Sequence, residues 1–572
     1  MNYMKRVDAH ETTLKGYLGI ESDIGELTIP FSQRPYEWNK AEVERLFNDL
    51  VSLYYDDENI HMLNFFTLSG EGGMTKIFDG QQRTITSLLI VGVFIKKLNS
   101  RGLLEAAKQL HNQYIEKVEY ISDDGNIRKL RFDDKETENF FYKLLSIKND
   151  VDLDSKNYEN ETIKTFITNF NLITQLLDRF IDKNDLNRDE IRKMVNRILT
   201  ATNLITIKTD TDELAMAMFE SLNNTGKQLE NYYVLKNDLV IALEEKAVKD
   251  KWNEIESNLA NFDQSDFLVA FATVLTGKST KKNALSKIYT KYSKQNRKEM
   301  IDLLNILLAA SEKYLHLRNP AQLTDYKDRT AYDNYRENIS NLNLFIKKQQ
   351  LPLLLAAMMK GYSLSNINEI ATHLLNIGIR NLYFEEKRAN TIEILIADLA
   401  NDIYTETKSI KDVLNVLKKE ALSDSEVKEA IKGKIVKRGQ AEKNLKFILR
   451  ETYNTTDLQR ELKIRDNLSE IHYEHILPKR PSQNSQWIKD FSVEEEREIY
   501  TSKVGNATLL LDKINTNISN KDFKDKKLRY KESHIPENKN IANHKKWTTI
   551  EIENRTTEIA EKIITYLNEL TN

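Results

Sequence analysis

Cysteine is absent from all 572 residues. That excludes disulfide staples, thiolate zinc sites and cysteine nucleophiles, and it suits a reducing compartment. Proline is scarce: between Pro35 and Pro478 only Pro320 and Pro352 occur. Glycine is sparse over the same stretch. Long segments without breakers favour helices. No apolar run reaches the roughly 18 residues that a membrane span needs. The longest, around Leu88 to Ile95, is broken by Gly92. The N-terminus, MNYMKRVDAHETTL, lacks the apolar core of a signal peptide. These absences predict a cytoplasmic protein with no membrane partner. An excess of charge is missing too: 84 Lys and Arg stand against 87 Asp and Glu, a net −3. So balanced a chain does not bind nucleic acid through bulk charge, and any such site must be local.

The length is too great for one core, so two or three domains are expected. Ile392, Leu395, Ile396, Leu399 and Ile403 fall on one face of a 3.6-residue repeat. With the lack of breakers, this predicts that roughly residues 100 to 445 are mostly α-helical. The first hundred residues read differently. Leu63 to Ser69 and Thr75 to Phe78 have strand-like composition, and Gly70-Glu71-Gly72-Gly73 between them signals a hairpin turn. Asp79-Gly80 leads into an amphipathic helix from near Gln82. Leu204 to Thr209 is a further strand candidate for the same sheet. Near the C-terminus Pro478 and Pro481 mark a loop, Ala507 to Leu511 reads as a strand, and a helix follows Asn515.

Two constellations carry chemistry. In the C-terminal one, Tyr473-Glu474-His475-Ile476-Leu477-Pro478 puts a carboxylate beside a histidine, with a proline three residues on. Gly505-Asn506-Ala507-Thr508-Leu509-Leu510-Leu511 follows, and Asn515 lies nine residues past Asn506. Phosphodiester hydrolysis needs a base for water and a cation for the charge developing on phosphate. Neutral imidazole suits the first task. A carboxylate and an amide oxygen suit a hard ion. Each residue alone has a plain structural reading, since Asn is a common helix cap; the joint pattern carries the argument. It resembles the HNH, or ββα-metal, nuclease motif. The resemblance covers about residues 440 to 570, and Phe523, Trp547 and Arg555 extend it. It implies His475 as general base, Glu474 and Asn515 as ligands of a divalent metal (Mg2+ or Mn2+), and Asn506 as the residue that aims His475. Asn517 and Asn520 are alternatives to Asn515. His472 is a bystander on the opposite strand face. The cluster Lys521, Lys524, Lys526, Lys527, Arg529, Lys531 is either a solvated helix face or a DNA-backbone contact through Lys521, Lys524 and Lys527.

The N-terminal constellation has two signatures, Ile29-Pro30-Phe31-Ser32-Gln33-Arg34-Pro35-Tyr36-Glu37-Trp38 and Phe78-Asp79-Gly80-Gln81-Gln82-Arg83-Thr84. The second sits between a strand and a helix, where a glycine permits a tight turn and free amides favour an anion. Arg83 could grip that anion bidentately. Asp79 could hold a metal ion, and Gln81 or Gln82 could orient a water. Tyr36 and Trp38 could line a pocket but read better as core. There is no Walker-type run, which excludes a P-loop engine. Together the signatures resemble the ParB-like DGQQR family, the control half of modification-dependent type IV restriction enzymes of the GmrSD kind. Phe219 to Leu229 and Leu235-Lys236-Asn237 extend the match over residues 10 to about 245. Tyr233 stands where an acidic residue is usual. The resemblance implies that the loop binds and hydrolyses a nucleoside triphosphate, with Gln33, Arg34, Asn223 and Gly226 near it.

The order of parts is similar to single-chain GmrSD-type enzymes. The expected class is α+β and predominantly α-helical. Residues 1–245 form a ParB-like α/β sensor domain, 246–435 a helical relay and 436–572 a ββα-metal (HNH) nuclease domain. The resemblance implies a nucleotide-regulated anti-phage endonuclease acting on modified double-stranded DNA. Three alternatives stay open: a nicking effector sensing phosphorothioate-modified DNA, a non-catalytic DNA-binding scaffold, and an RNA-cleaving abortive-infection toxin. Assembly into homo-oligomers, the nucleotide used and the modification recognised are also open.

Overall fold

The computed structural model describes residues 7–55, 59–70, 74–118, 126–148, 151–223, 231–386, 389–456, 464, 471–511 and 520–571, with backbone only at 220–223 and 389. They fall into two compact units. One is Met1–Trp252 with Lys294–Ile301, the other Asn253–Ser293 with Asp302–Asn572. The class is α+β and dominated by helix, as expected. No helix among the described residues is long and apolar enough to cross a membrane.

The first unit is built on a mixed sheet. Its strands are β1 (Val7–Thr13), β2 (Glu26–Thr28), β3 (His61–Ser69), β4 (Met74–Ile77), β7 (Leu130–Arg131) and β8 (Thr202–Thr209), in the order β1-β8-β3-β4-β2-β7. A separate small ladder joins β5 (Glu116–Val118) to β6 (Asn126–Arg128). The expected hairpin is present, with β3 and β4 antiparallel through Leu68↔Ile77 and Ser69↔Lys76; residues 71–73 of its turn lie outside the described residues. The strand expected near Leu204 joins this sheet, parallel to β3 and antiparallel to β1.

The sequence reading missed β1, β2 and the short strands β5, β6 and β7. The last three interrupt a stretch read as helical. The cause is physical. β1 is an exposed edge strand, VDAHETT, with no apolar face for a pattern to show. β2 and β7 have three and two residues, too few for a period. The apolar run Leu88 to Ile95 forms the centre of α1 (Gln81–Ser100), which is buried on nearly every side. A helix apolar all round belongs in a core. It packs against α2 (Glu161–Asn184). Its buried threonines are satisfied locally, Thr84 Oγ1 donating to the Gly80 carbonyl and Thr86 Oγ1 to that of Gln82. Another helix, α3 (Asp212–Asn223), follows β8.

The second unit is mainly helical. The predicted repeat forms α4 (Ala389–Tyr404), with Ile392, Ile396, Leu399 and Ile403 buried. Its C-terminal part contains an antiparallel pair, β9 (Ile471–His475) and β10 (Ala507–Leu511), registered from Ile471↔Leu511 to His475↔Ala507. Before it comes α5 (Gln440–Thr456) and after it α6 (Phe523–Glu532), α7 (Pro536–Asn543) and α8 (Thr549–Glu569). Residues 512–519, where the helix expected after Asn515 would begin, lie outside the described residues, and α6 starts at Phe523. Trp487, Phe491, Leu510, Phe523, Tyr530 and Trp547 form the local core.

Candidate functional site

Asn506 is the centre of the C-terminal constellation. It is fully buried at the end of a short 3-10 turn, Val504–Asn506, that opens into β10. Its Oδ1 accepts from the Leu477 amide at 2.7 Å and from Trp547 Nε1 at 3.2 Å. Its Nδ2 donates to the carbonyls of Leu477 at 3.0 Å and Thr501 at 3.1 Å. All four hydrogen-bonding positions of the amide are therefore used. The side chain ties down both backbone groups of Leu477, two residues past His475. Gly505 must be glycine, because a Cβ there would lie 2.2 Å from the Ile552 carbonyl of α8. Arg555 fastens the same corner. It donates to the carbonyls of Gly505 at 2.6 Å and Ala507 at 2.8 Å, to Glu537 at 2.9 Å and to the Tyr453 hydroxyl at 3.2 Å.

His475 ends β9. Its Nδ1 donates to the Thr501 carbonyl at 3.1 Å. The Thr501 carbonyl and Glu442 Oε1 can only accept, so each ring nitrogen faces an acceptor; the tautomer protonated at Nδ1 satisfies the carbonyl and leaves a lone pair on Nε2. Glu442 Oε1 of α5 lies 3.2 Å from Nε2 and also takes Lys479 Nζ. Burial and then Lys479 pull the imidazole down to about 4, against the opposing pull of Glu442. Burial works against the charge on Glu442, but Lys479 and His475 outweigh it and hold the carboxyl below its usual range.

Glu474 faces the other way. Successive strand residues alternate in face. Its Oε1 accepts from Lys526 Nζ at 2.6 Å and from the Tyr530 hydroxyl at 3.3 Å, both on α6. Lys526 has no exposed surface and donates also to the His475 carbonyl at 2.8 Å. Burial raises Glu474 and lowers Lys526, and the opposite charge of each partner restrains both shifts. Asn515 and Asn517 lie outside the described residues, and Asn520 is exposed just before α6. Among the described residues no cluster of three or more His, Asp or Glu could hold a metal by itself. The donor chemistry does fit a hard cation in one respect. Both bonds of Glu474 fall on Oε1, so Oε2 is the oxygen such an ion would take.

Of the basic residues, Lys521 and Lys524 are exposed, whereas Lys527 donates to the His544 carbonyl. Lys526, Lys479 and Glu442 were missed as site residues by the sequence reading. Lys526 hid within a basic cluster. Lys479 directly follows the motif proline. Glu442 carries no signal, being in a helix far upstream.

The N-terminal signatures are laced together. Gly80 has φ +94, and a Cβ there would fall 2.1 Å from Phe66 Cδ1, so both turn and packing require glycine. Asp79 Oδ1 accepts the Gly80 amide at 2.7 Å and Oδ2 pairs with Arg83 at 3.1 Å. Gln81 donates to the Arg34 carbonyl. Gln82 Nε2 donates to the Pro35 carbonyl at 2.9 Å, and its Oε1 accepts the Glu37 amide at 2.9 Å. Arg83 donates to the carbonyls of Leu63 and Phe65 and lies over the Phe66 ring. The side chains of Gln81, Gln82 and Arg83, expected to meet water and anion, are thus engaged within the protein. Gln33 Nε2 is buried with no hydrogen-bond partner among the described residues, and Arg34 lies 3.7 Å from Glu37. Tyr233, in the place of the usual acidic residue, donates to Glu37 at 3.0 Å. Tyr36 is core and bonds Thr86 at 2.7 Å; Trp38 packs against the same core. Asn223 ends α3, but its side chain and Gly226 lie outside the described residues.

Comparison with known proteins matches both ends of the chain. Residues 18–240 match the N-terminal domain of GmrSD restriction endonucleases. Residues 422–562 match the C-terminal domain of GmrSD restriction endonucleases. No curated protein matches the chain. With both domains present in one polypeptide, the chain belongs to the GmrSD family of restriction endonucleases, enzymes that act on DNA.

Proposed function

We propose that the C-terminal part cleaves the DNA phosphodiester with His475 as general base. The observation that carries this reading is the Thr501 carbonyl bond. With the proton on Nδ1, which this bond favours, and Glu442 moved off Nε2, the ring would take a proton from water. Asn506 acts as a positioning residue, because it pins Leu477 and shares the Thr501 carbonyl. Glu474, through Oε2, and Asn515 would hold a divalent ion, Mg2+ or Mn2+, which supplies charge neutralisation at the phosphate when bound. Glu474 stands on the face of β9 opposite His475, so the two would meet the phosphate from different sides of the strand end. Lys521, Lys524 and Lys527 of the α6 region would meet the DNA backbone.

The reading extends to control. A nucleoside triphosphate at the start of α1 would meet first-turn amides, Gln33 Nε2 and the Arg34 guanidinium. Gln33 supports this, because a buried donor without a partner is costly unless a ligand satisfies it. Asp79, Gly80, Gln81, Gln82 and Arg83 would shape that loop, with Asn223 and Gly226 beside it. Nucleotide state would gate cleavage, and the substrate would be foreign DNA carrying modified bases. The test is cleavage of phage genomes of defined base modification, with each nucleoside triphosphate in turn. Cutting restricted to modified genomes and dependent on one nucleotide supports the reading. Equal cutting of all genomes, whatever the nucleotide, contradicts it.

A further inference from the structure

Three side chains meet at the end of β9 without any signal in the sequence to join them. Glu442 Oε1 stands 3.2 Å in front of His475 Nε2. The same oxygen takes Lys479 Nζ. A neutral ring protonated at Nδ1 has no hydrogen to give that carboxylate. Whichever ring nitrogen carries the proton, Glu442 is held by Lys479 and occupies the space in front of Nε2. An exposed lysine–glutamate pair is ordinarily worth little and means little. This one differs in that its acidic oxygen covers the nitrogen that has work to do. The group lies at the surface, with His475 16 %, Glu442 19 % and Lys479 38 % exposed.

A phosphodiester offers what Glu442 offers, a pair of oxygens sharing one negative charge. Lysine accepts either as a point charge. We propose that Lys479 Nζ is the seat of a DNA backbone phosphate, and that the Glu442 carboxylate fills this seat, in front of His475 Nε2, in the DNA-free chain. The inference rests on the reading of His475 as the nuclease base. Lys479 exchanges one anion for another, so its charge stays paired throughout. Once phosphate holds Lys479, Glu442 loses its partner, and Nε2 is open to water. Cover and seat stand on different elements: Glu442 on the first turn of α5, Lys479 on the loop after β9. They can part without disturbing β9.

The test uses the purified full chain with Glu442→Ala, Glu442→Gln, Lys479→Met, the Glu442→Ala/Lys479→Met pair, and His475→Ala. Each is assayed for binding of a short duplex across a salt series and for cutting of phage DNA carrying modified bases, with each nucleoside triphosphate and without. Melting curves establish that each is folded. Both Glu442 variants are expected to bind duplex more tightly and to cut faster than the unaltered chain. Lys479→Met should bind more weakly, with a salt slope shallower by about 1, and should cancel the gain in the double variant. Glu442 variants that bind no tighter, or cut more slowly, overturn the proposal and make Glu442 a support of the imidazole. An unchanged salt slope in Lys479→Met overturns the phosphate seat. His475→Ala that still cuts removes the base assignment, a separate failure, and the binding measurements then decide the seat by themselves.

Discussion

Asn506 and His475 share one acceptor: the Thr501 carbonyl takes Asn506 Nδ2 and His475 Nδ1, each at 3.1 Å. The asparagine thus fixes both the loop beyond the histidine and the group that sets the histidine's tautomer. Asn506→Ala leaves the amide and carbonyl of Leu477 without their buried partner. An unsatisfied buried polar group costs about 1–3 kcal/mol. The expected result is a clear fall in stability in urea titration and loss of cleavage. Asn506→Asp keeps the acceptor but sets a buried carboxylate against two carbonyl oxygens, so it should fold no better than the alanine variant and still fail to cut. Full cleavage by either variant contradicts the positioning role.

Arg555 and Glu537 form a buried pair 2.9 Å apart, with Lys562 on the other carboxylate oxygen at 2.8 Å. Breaking a buried pair from one side typically costs about 3–5 kcal/mol. With Lys562 still present, Arg555→Met should fall at the lower end of that range. Burial opposes the charge on Glu537, but Arg555 and Lys562 hold its pKa below the usual value. Its contribution is therefore present above the unfolded carboxyl pKa and lost as pH falls through the folded one. The stability gap between unaltered and Arg555→Met protein should shrink in acid. A gap constant with pH contradicts the pairing.

Lys129 lies beneath the first unit's β2, donating to the carbonyls of Gly19 at 2.9 Å and Gly25 at 2.7 Å. Burial pulls it down to about 7. Between that value and the unfolded pKa of about 10.4, the folded chain binds fewer protons than the unfolded one. Stability should then rise with pH across this window. Lys129→Met should remove that part of the pH dependence, seen as a flatter plot of urea midpoint against pH. An identical plot for both proteins contradicts the assignment.

Arg83→Ala removes the guanidinium bonds that hold Leu63, Phe65 and Asp79 around the loop before α1. It should lower the stability of the first unit by about 1–3 kcal/mol and abolish nucleotide hydrolysis. His475→Ala should keep hydrolysis. Normal hydrolysis by folded Arg83→Ala protein contradicts the control-loop reading.

The residues that could be read ahead of the structure are those whose role is local. β3, β4 and β10 are short runs of strand-like composition, and α4 shows its buried face every three or four residues. His475, Glu474 and Asn506 were legible because a strand–loop–strand motif keeps its spacing. Glu442 was not, since proximity of α5 to β9 is a product of packing alone. That Glu474 and His475, adjacent in a strand, face opposite sides of β9 follows from strand alternation, yet the sequence reading placed both at one site. The basic cluster concealed Lys526 because composition cannot separate one buried lysine from its solvated neighbours.

The central claim is that the C-terminal part cuts DNA with His475 as its base. The most direct measurement is the single-turnover cleavage rate of phage DNA by purified unaltered and His475→Ala protein, with folding matched by melting curves. The account predicts a loss on the order of 100- to 10,000-fold in the alanine variant, with duplex binding largely retained. Cleavage by His475→Ala at the unaltered rate would contradict it.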